Sequence, residues 1–286
     1  MRIAVVGSTG QLGAALVHEC SGRHQVIAYD HAALDVASDD AVRAAIEAAR
    51  PDIIVNCSAY NAVDAAEDHP VDALNVNALA VRALARAACA HAAALVHFST
   101  DFVFDGTATA PYREDDAPNP RSVYAASKLL GEWFAEDAPH AYILRVESLF
   151  GHAPGARPPK GSVEAILKGI LAGERVRVFE DRTVSPTYIF DAARATLALV
   201  ERNAPPGLYH CVNSGMCTWL ELARELGRQL EIEPQLAPIC VADVTLRAAR
   251  PQFCALSNEK LAAAGIPMPT WQDALARYVA DVRARL

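Results

Sequence analysis

The sequence predicts an α/β fold in which a doubly wound parallel sheet is followed by a smaller C-terminal domain. Three observations predict it. Short apolar runs alternate five times with longer segments of 3.6-residue periodicity, the pattern of parallel strands covered by helices on both faces. Three glycines mark the junction of the first run and the first periodic segment. The alternation stops after Gly151, where the stretch 152–161 is rich in Pro, Gly and Arg and reads as a loop or domain crossover.

Taken in order, strands are expected at 3–6, 26–29, 53–57, 95–98 and 141–144, with helices at 11–19, 39–49, 71–91 and 124–135. The strand runs are too short and too uniformly apolar for helices, whereas the Ala-rich segment 78–94 is built from strong helix formers. Further on, the pattern predicts a helix at 162–172, a strand at 176–179, helices at 191–202 and 218–230, and terminal helices at 258–264 and 271–285. Residues 1–150 form the expected first domain, with 190–212 returning to it, and 151–286 the second.

Composition narrows the function classes. The 286 residues are 52% hydrophobic and 21% charged, a globular rather than a disordered balance. The formal net charge is −8, and no Lys/Arg run exceeds two residues, so the footprint of a nucleic-acid binder is missing. Seven dispersed cysteines without a C-x-x-C pair read as reduced thiols rather than a disulfide framework or a zinc site, and no metal site is expected. No apolar stretch approaches the roughly 18 residues of a membrane span, and Met1 runs directly into the first strand, so the expected compartment is the cytoplasm.

The glycines stand at Gly7, Gly10 and Gly13, in the run Gly7-Ser8-Thr9-Gly10-Gln11-Leu12-Gly13. A glycine turn between strand and helix lets the backbone approach a pyrophosphate, and the helix N-terminus offers free N–H groups and the positive end of its dipole. The spacing is G-x-x-G-x-x-G, so the strand-turn-helix setting carries the reading: a Rossmann-like, dinucleotide-binding unit in which Gly7, Thr9, Gly10, Gln11, Leu12 and Gly13 hold the cofactor. Asp30 closes the second strand, where a carboxylate accepts both ribose hydroxyls of NAD(H) and repels the 2′-phosphate of NADP(H). NAD(H) is therefore favoured, with NADP(H) requiring a compensating cation such as Arg23. A helix cap is the structural alternative for Asp30.

Tyr124 and Lys128 lie four apart at the start of a predicted helix, so phenol and ammonium share one face. Making a phenol useful near neutral pH takes about three pKa units, or ~4 kcal/mol. One cation at ~4 Å and an effective dielectric of ~20 supplies about that much, but desolvation pushes the phenol the other way, so a second positive influence such as an oxidised nicotinamide ring would help. Thr100 ends the fourth strand and offers a hydroxyl to a carbonyl oxygen. His97 and His210 read as core histidines, since no metal-binding spacing accompanies them.

The glycine turn, Ser99-Thr100-Asp101 and the Tyr124/Lys128 pair together resemble the extended short-chain dehydrogenase/reductases. The runs 50–60, 62–64 and 99–106, Ser185-Pro186-Thr187, Gly207-Leu208-Tyr209-His210, Arg250-Pro251 and Trp271 narrow the resemblance to the dTDP-4-dehydrorhamnose reductase family over nearly the whole chain. That resemblance implies an NAD(P)H-dependent reduction at C4 of a nucleotide-linked 4-keto-6-deoxy sugar, a small-molecule substrate. Tyr124 would protonate the new alkoxide, Lys128 would hold the nicotinamide ribose and tune Tyr124, and Thr100 would orient the carbonyl. Cys57, Ser58 and Ala59 would line the cofactor, and Asp101 would support the strand end.

The chain departs from the family at Phe102, where Tyr is usual, and at Val146-Glu147-Ser148, where Thr-Ser-Trp is usual. It departs again near Gly161-Ser162, where Asn-Phe is common, and at Val184, where Gly or Ala is common. The expected substrate contacts are Thr100, Asp101, Phe102, Glu147, Ser148 and the cations Lys160, Arg182 and Arg250, the last three for a diphosphate. Glu147 has a second reading as a buried carboxylate paired with an Arg. Phe102 stands where related dehydratases carry Glu, which disfavours elimination. A dehydratase or epimerase is one alternative, and a non-catalytic regulatory subunit similar to the beta subunit of methionine adenosyltransferase is the other. Some family members dimerise through a carboxylate-held magnesium; Ala14 and Ala15 occupy the corresponding helix face here, so a monomer or a metal-free homodimer is expected.

Overall fold

The structure, a computed structural model, describes residues 1–158 and 160–285. Pro159, within the expected crossover stretch, and the terminal residue of the expected second domain lie outside the described residues. The central sheet contains β1 (Arg2–Val6), β2 (Gln25–Tyr29), β3 (Ile53–Asn56), β4 (Ala94–Thr100) and β5 (Ala141–Val146), together with β10 (Gly207–His210). Its strand order is β10-β5-β4-β3-β1-β2, and every pairing is parallel. Order reverses between β2 and β3, on either side of β1, so the crevice at the carboxyl ends of β1 and β3 is the topological switch point where open α/β sheets bind ligands.

Alternation along β1 shows why two layers form. Ile3 and Val5 join one apolar cluster, and Ala4 and Val6 join another on the opposite face. On the first face α1 (Gln11–Cys20) packs against α8 (Ile189–Glu201). On the second, α2 (Asp39–Ala49) packs against α5 (Ala80–His91), which in turn packs against α6 (Val123–Ala135). Thus α8 and β10, from the stretch 190–212, lie with the sheet.

Between β3 and α5 the structure differs from the single helix expected over 71–91. The segment holds α3 (Val63–Asp68), α4 (Pro70–Leu74) and a π-helical turn at Asn75–Leu79 that runs into α5. Pro70 opens α4, where its missing N–H costs no hydrogen bond. The π turn places Asn77 inward: its amide oxygen accepts from Tyr60 N at 2.8 Å, and its amide nitrogen donates to Tyr60 O and to Ser127 Oγ. Opposite it, a Cβ at Gly131 would lie 2.1 Å from the Asn77 carbonyl oxygen, so α6 approaches as closely as only glycine allows.

Among the described residues the other α-helices are α7 (Ser162–Leu171), α9 (Trp219–Leu230), α10 (Glu259–Ala263) and α11 (Trp271–Arg283), accompanied by three two-stranded pairs and by 3-10 turns at Asp101–Val103 and Val241–Asp243. The parallel pair β7 (Val176–Phe179) and β12 (Leu236–Ile239) supports α9. The short pairs β6 (Leu149–Phe150) with β9 (Thr187–Tyr188) and β8 (Thr183–Val184) with β11 (Cys217–Thr218) carry the chain past the ends of β4 and β5. Their apolar residues merge with the α1/α8 face into one continuous core that includes Phe150, Tyr188, Trp219 and Tyr278. Thr218 caps α9 in a reciprocal capping box with Glu221.

Candidate functional site

At the switch point Gly7 has φ +79°, and a Cβ there would lie 2.8 Å from Ser58 N and 2.9 Å from the Cys57 carbonyl carbon. A Cβ on Gly13 would strike the Gly7 carbonyl oxygen at 2.2 Å. Both glycines are therefore dictated by close approach: β1, β3 and α1 meet with no room for side chains. Gly10 precedes α1 without any side-chain cap, leaving its first N–H groups to face the adjacent cleft. Such a cradle suits a dinucleotide pyrophosphate.

The cleft has a volume of about 510 Å³ and is lined by Gly10, Gln11 and Leu12 at one end, with Cys57, Ser58 and Ala59 beside them. Thr100, Tyr124, Lys128 and Ser148 line the same cleft, as do Phe102, Lys160, Arg182 and Arg250. Residues expected for cofactor and for substrate thus open onto one space. Gly7 and Gly13 shape the turn beneath it. Thr9 faces the 152–161 loop, its carbonyl accepting from Arg157 N at 2.9 Å, and the Gln11 amide donates to Gly151 O at 3.0 Å.

Asp30 closes a turn after β2, its Oδ1 accepting from Ala32 N at 3.0 Å and Ala33 N at 2.8 Å. Arg23 cannot compensate a 2′-phosphate there. It precedes β2 and Asp30 follows it, so a strand of roughly 17 Å separates them. The Arg23 guanidinium instead pairs with Glu201 at 2.7 Å.

Ser122 caps α6, accepting from Ala125 N at 3.2 Å, so Tyr124 and Lys128 sit in the first turns of a firmly anchored helix. Tyr124 is 8% exposed. Its hydroxyl makes a long 3.5 Å contact to Asn61 Oδ1, and the Thr100 hydroxyl is near enough to oppose the rise in its pKa. Lys128 Nζ donates to the Phe98 carbonyl at 2.6 Å. Burial, rather than the neighbouring ammonium, dominates the phenol and pushes its pKa up, so Tyr124 stays protonated at neutral pH. The desolvation expected to oppose the ammonium is thus the larger influence on Tyr124. Lys128 is itself lowered to about 8, chiefly by burial, with Glu132 opposing the shift.

Phe102 stands edge-on to Tyr124 at 5.8 Å between centroids, with Arg182 and Arg250 over its ring at 5.7 and 5.9 Å. Arg250 also pairs with Asp64 at 3.0 Å. Arg182 donates to Pro251 O at 3.0 Å, while Lys160 is exposed at the mouth. Ser148 adopts a left-handed φ of 44° at the turn after β5.

Glu147 does not line the cleft. It is buried behind Asp101, and its Oε2 accepts from Ser185 N at 2.7 Å. Ligand-type atoms of Asp101, Glu147 and Cys254 lie within 4.8 Å of one another, a cluster that no sequence spacing signalled. His97 and His210 are fully buried; His97 Nδ1 meets the Asn56 amide at 3.2 Å. Burial lowers both imidazoles, with His210 at about 3.

The sequence reading missed Trp219, the first residue of α9, which supplies an aromatic face to the same cleft. The capping box at Thr218 fixes its position, a signal visible in T-W-L-E only once the helix start is known. Asn61, also in the lining, falls between the runs 50–60 and 62–64 and carries no chemical signature of its own.

A family model described as the RmlD substrate binding domain matches residues 1–284. The chain is 36% identical to a probable dTDP-4,6-dihydroxy-2-methyloxan-3-one 4-ketoreductase of Streptomyces antibioticus, over 99% of this chain and 96% of that one. It is 34% identical to the dTDP-4-dehydrorhamnose reductase of Mycolicibacterium smegmatis, over 98% and 86%. Among solved structures, dTDP-4-dehydrorhamnose reductase of Bacillus anthracis in complex with NADP superposes with a TM-score of 0.92 at 30% identity, covering 98% of this chain and 99% of that one.

Proposed function

The chain belongs to the RmlD substrate-binding-domain family of NAD(P)-dependent sugar-nucleotide reductases, and from that premise we propose that it reduces the C4 ketone of a nucleotide-linked 4-keto-6-deoxy sugar. The observation that carries this reading is the convergence of Thr100, Tyr124 and Lys128 on the cleft that begins at the glycine turn. We assign residues 1–150 and 190–212 to cofactor binding and the rest of 151–286 to substrate binding.

When bound, the nicotinamide supplies a hydride. The residues that fit the cofactor are Gly7 to Gly13 for the pyrophosphate, Cys57 to Ala59 along its flank, and Lys128 for a ribose hydroxyl. Thr100 holds the substrate carbonyl by its hydroxyl. Tyr124, protonated through burial, gives its phenolic proton to the C4 oxygen as charge develops there. Arg250 and Lys160, on the cleft wall, bind the diphosphate, and Trp219 packs on the sugar nucleotide. We assign a preference for NADH over NADPH, because Asp30 places a carboxylate at the ribose end while Arg23 lies at the other end of β2. The NADP-bound relative makes this preference a direct question for titration with both reduced nucleotides.

Reduced-nucleotide oxidation with dTDP-4-dehydrorhamnose tests the reading. Wild type should turn over, and Tyr124→Phe should lose about 10²–10⁴-fold in kcat with cofactor affinity kept. Tight cofactor binding without turnover in either protein would instead favour a regulatory subunit.

A further inference from the structure

Register places two acids side by side, Asp101 on the cleft wall and Glu147 outside the lining. Thr100 and Val146 are partners on adjacent β4 and β5, so the residues that follow them, Asp101 and Glu147, leave the sheet together. They are 3% and 2% exposed. Each uses one carboxyl oxygen: Asp101 Oδ1 accepts from the Thr100 hydroxyl at 3.0 Å, and Glu147 Oε2 accepts from Ser185 N at 2.7 Å. The other two oxygens, Asp101 Oδ2 and Glu147 Oε1, are buried without any hydrogen-bond partner among the described residues. Carboxylate oxygens stripped of both water and hydrogen bonds are costly, and a proton held by the pair, whose carboxyl groups approach within 4.8 Å, removes one of the two buried charges.

Charge balance points the same way. The groups that face this pair are Arg182, Cys254, Cys217 and Tyr124. The Cys254 thiol donates to Pro251 O at 3.2 Å, and burial holds both thiols protonated. Arg182 is then the cation facing two acids, which leaves one negative charge too many unless a proton stays. Burial raises both carboxyls, Asp101 to about 6. A divalent cation fits the cluster less well, because Arg182 Nη2 already donates to Cys254 Sγ at 3.5 Å and supplies the positive charge.

We propose that Asp101 and Glu147 form a buried carboxyl pair that shares one proton at neutral pH and passes it through the Thr100 hydroxyl to Tyr124 after each turnover. This rests on the reductase reading for its final step. Once Tyr124 has given its proton to the alkoxide, the phenolate takes the Thr100 hydroxyl proton, the Asp101 carboxyl takes up the pair's proton and turns it to the oxygen beside Thr100, Thr100 accepts it there, and the pair is left doubly ionised. It recovers its proton from water through the cleft, which Asp101 lines. The pair acts through Thr100 and positions the proton rather than touching substrate.

Infrared spectroscopy of the unliganded protein tests the store without any sugar. Wild type should show one protonated-carboxyl stretch at pH 7 that is absent in Glu147→Gln, a change that keeps an acceptor for Ser185 N–H. Absence of the band in wild type overturns the proposal, as does its loss on adding one equivalent of Zn²⁺ that binds tightly. With NADH and dTDP-4-dehydrorhamnose, Glu147→Gln should keep the rate of the first turnover while steady-state kcat falls about tenfold and its solvent deuterium effect grows. A first turnover slowed as much as the steady state would show a merely structural role and overturn the relay. Failure of wild type to reduce this sugar would count against the reductase reading, with the infrared band still deciding whether the pair holds a proton.

Discussion

Two buried acid sites flank β5 and behave differently. On one side Glu132 of α6 receives Arg145 in a fork, with Nε to Oε1 at 2.8 Å and Nη2 to Oε2 at 2.7 Å, and the guanidinium lies 4.9 Å from the Phe104 centroid. One acid meets one base, and both carboxylate oxygens are satisfied. On the other side Asp101 and Glu147 share Arg182, and two oxygens have no hydrogen-bond partner among the described residues. Burial is comparable at both, so charge balance separates them. The balanced pair fastens the helix that carries Tyr124 and Lys128 to the sheet; the unbalanced one has a proton to trade.

The most severe way to break this comparison is to unbalance the first site. Arg145→Met should cost about 3–5 kcal/mol in urea unfolding, because it strands Glu132 as an unpaired buried charge. The double change Arg145→Met with Glu132→Leu should recover most of that loss; a double variant as unstable as the single would mean that the pair itself, rather than the orphaned acid, carries the stability.

The second site makes a pH prediction. Asp101 rises from 3.8 to about 6 on folding, so between these values the native state binds more protons than the unfolded chain. Its contribution to stability is then full below about pH 4 and is lost as pH rises through about 6. Denaturant titrations at pH 4 and pH 7 should show wild type losing more stability over that interval than Asp101→Asn, and equal losses would remove Asp101 from the account.

A third, more exposed cation gives the smallest effect. Arg250 pairs with Asp64, whose side chain is 49% exposed and whose pKa is lowered chiefly by the Ala248 N–H. Breaking such a pair costs little stability. Arg250→Ala should instead raise KM for the nucleotide sugar roughly tenfold with kcat nearly kept, as expected for one lost charge-assisted contact. An unchanged KM would detach Arg250 from the diphosphate.

Much of the site was legible because its chemistry is local. Gly7, Gly10 and Gly13 sit within one turn, and Tyr124 and Lys128 within one helical turn of each other, so spacing and flanking elements suffice to find them. Glu147 was legible only as an anomaly: the sequence presents an acid beside the fifth-strand Arg, but Arg145 chooses Glu132, and Glu147 turns to Ser185 and Asp101. The break between α3 and α5 was hidden for a similar reason. Asn77 looks like an ordinary helix residue until Tyr60 and Ser127 are brought beside it.

By itself the sequence determined the alternating elements, the glycine turn and the Tyr124/Lys128 face, since hydrophobic period and backbone sterics act over a few residues. Only the tertiary structure decided which acid meets which base, that Trp219 faces the cleft, and that Asp101, Glu147 and Cys254 come together. Those contacts join segments distant along the chain, and charge pairing in a low-dielectric interior depends on distances that no local pattern encodes.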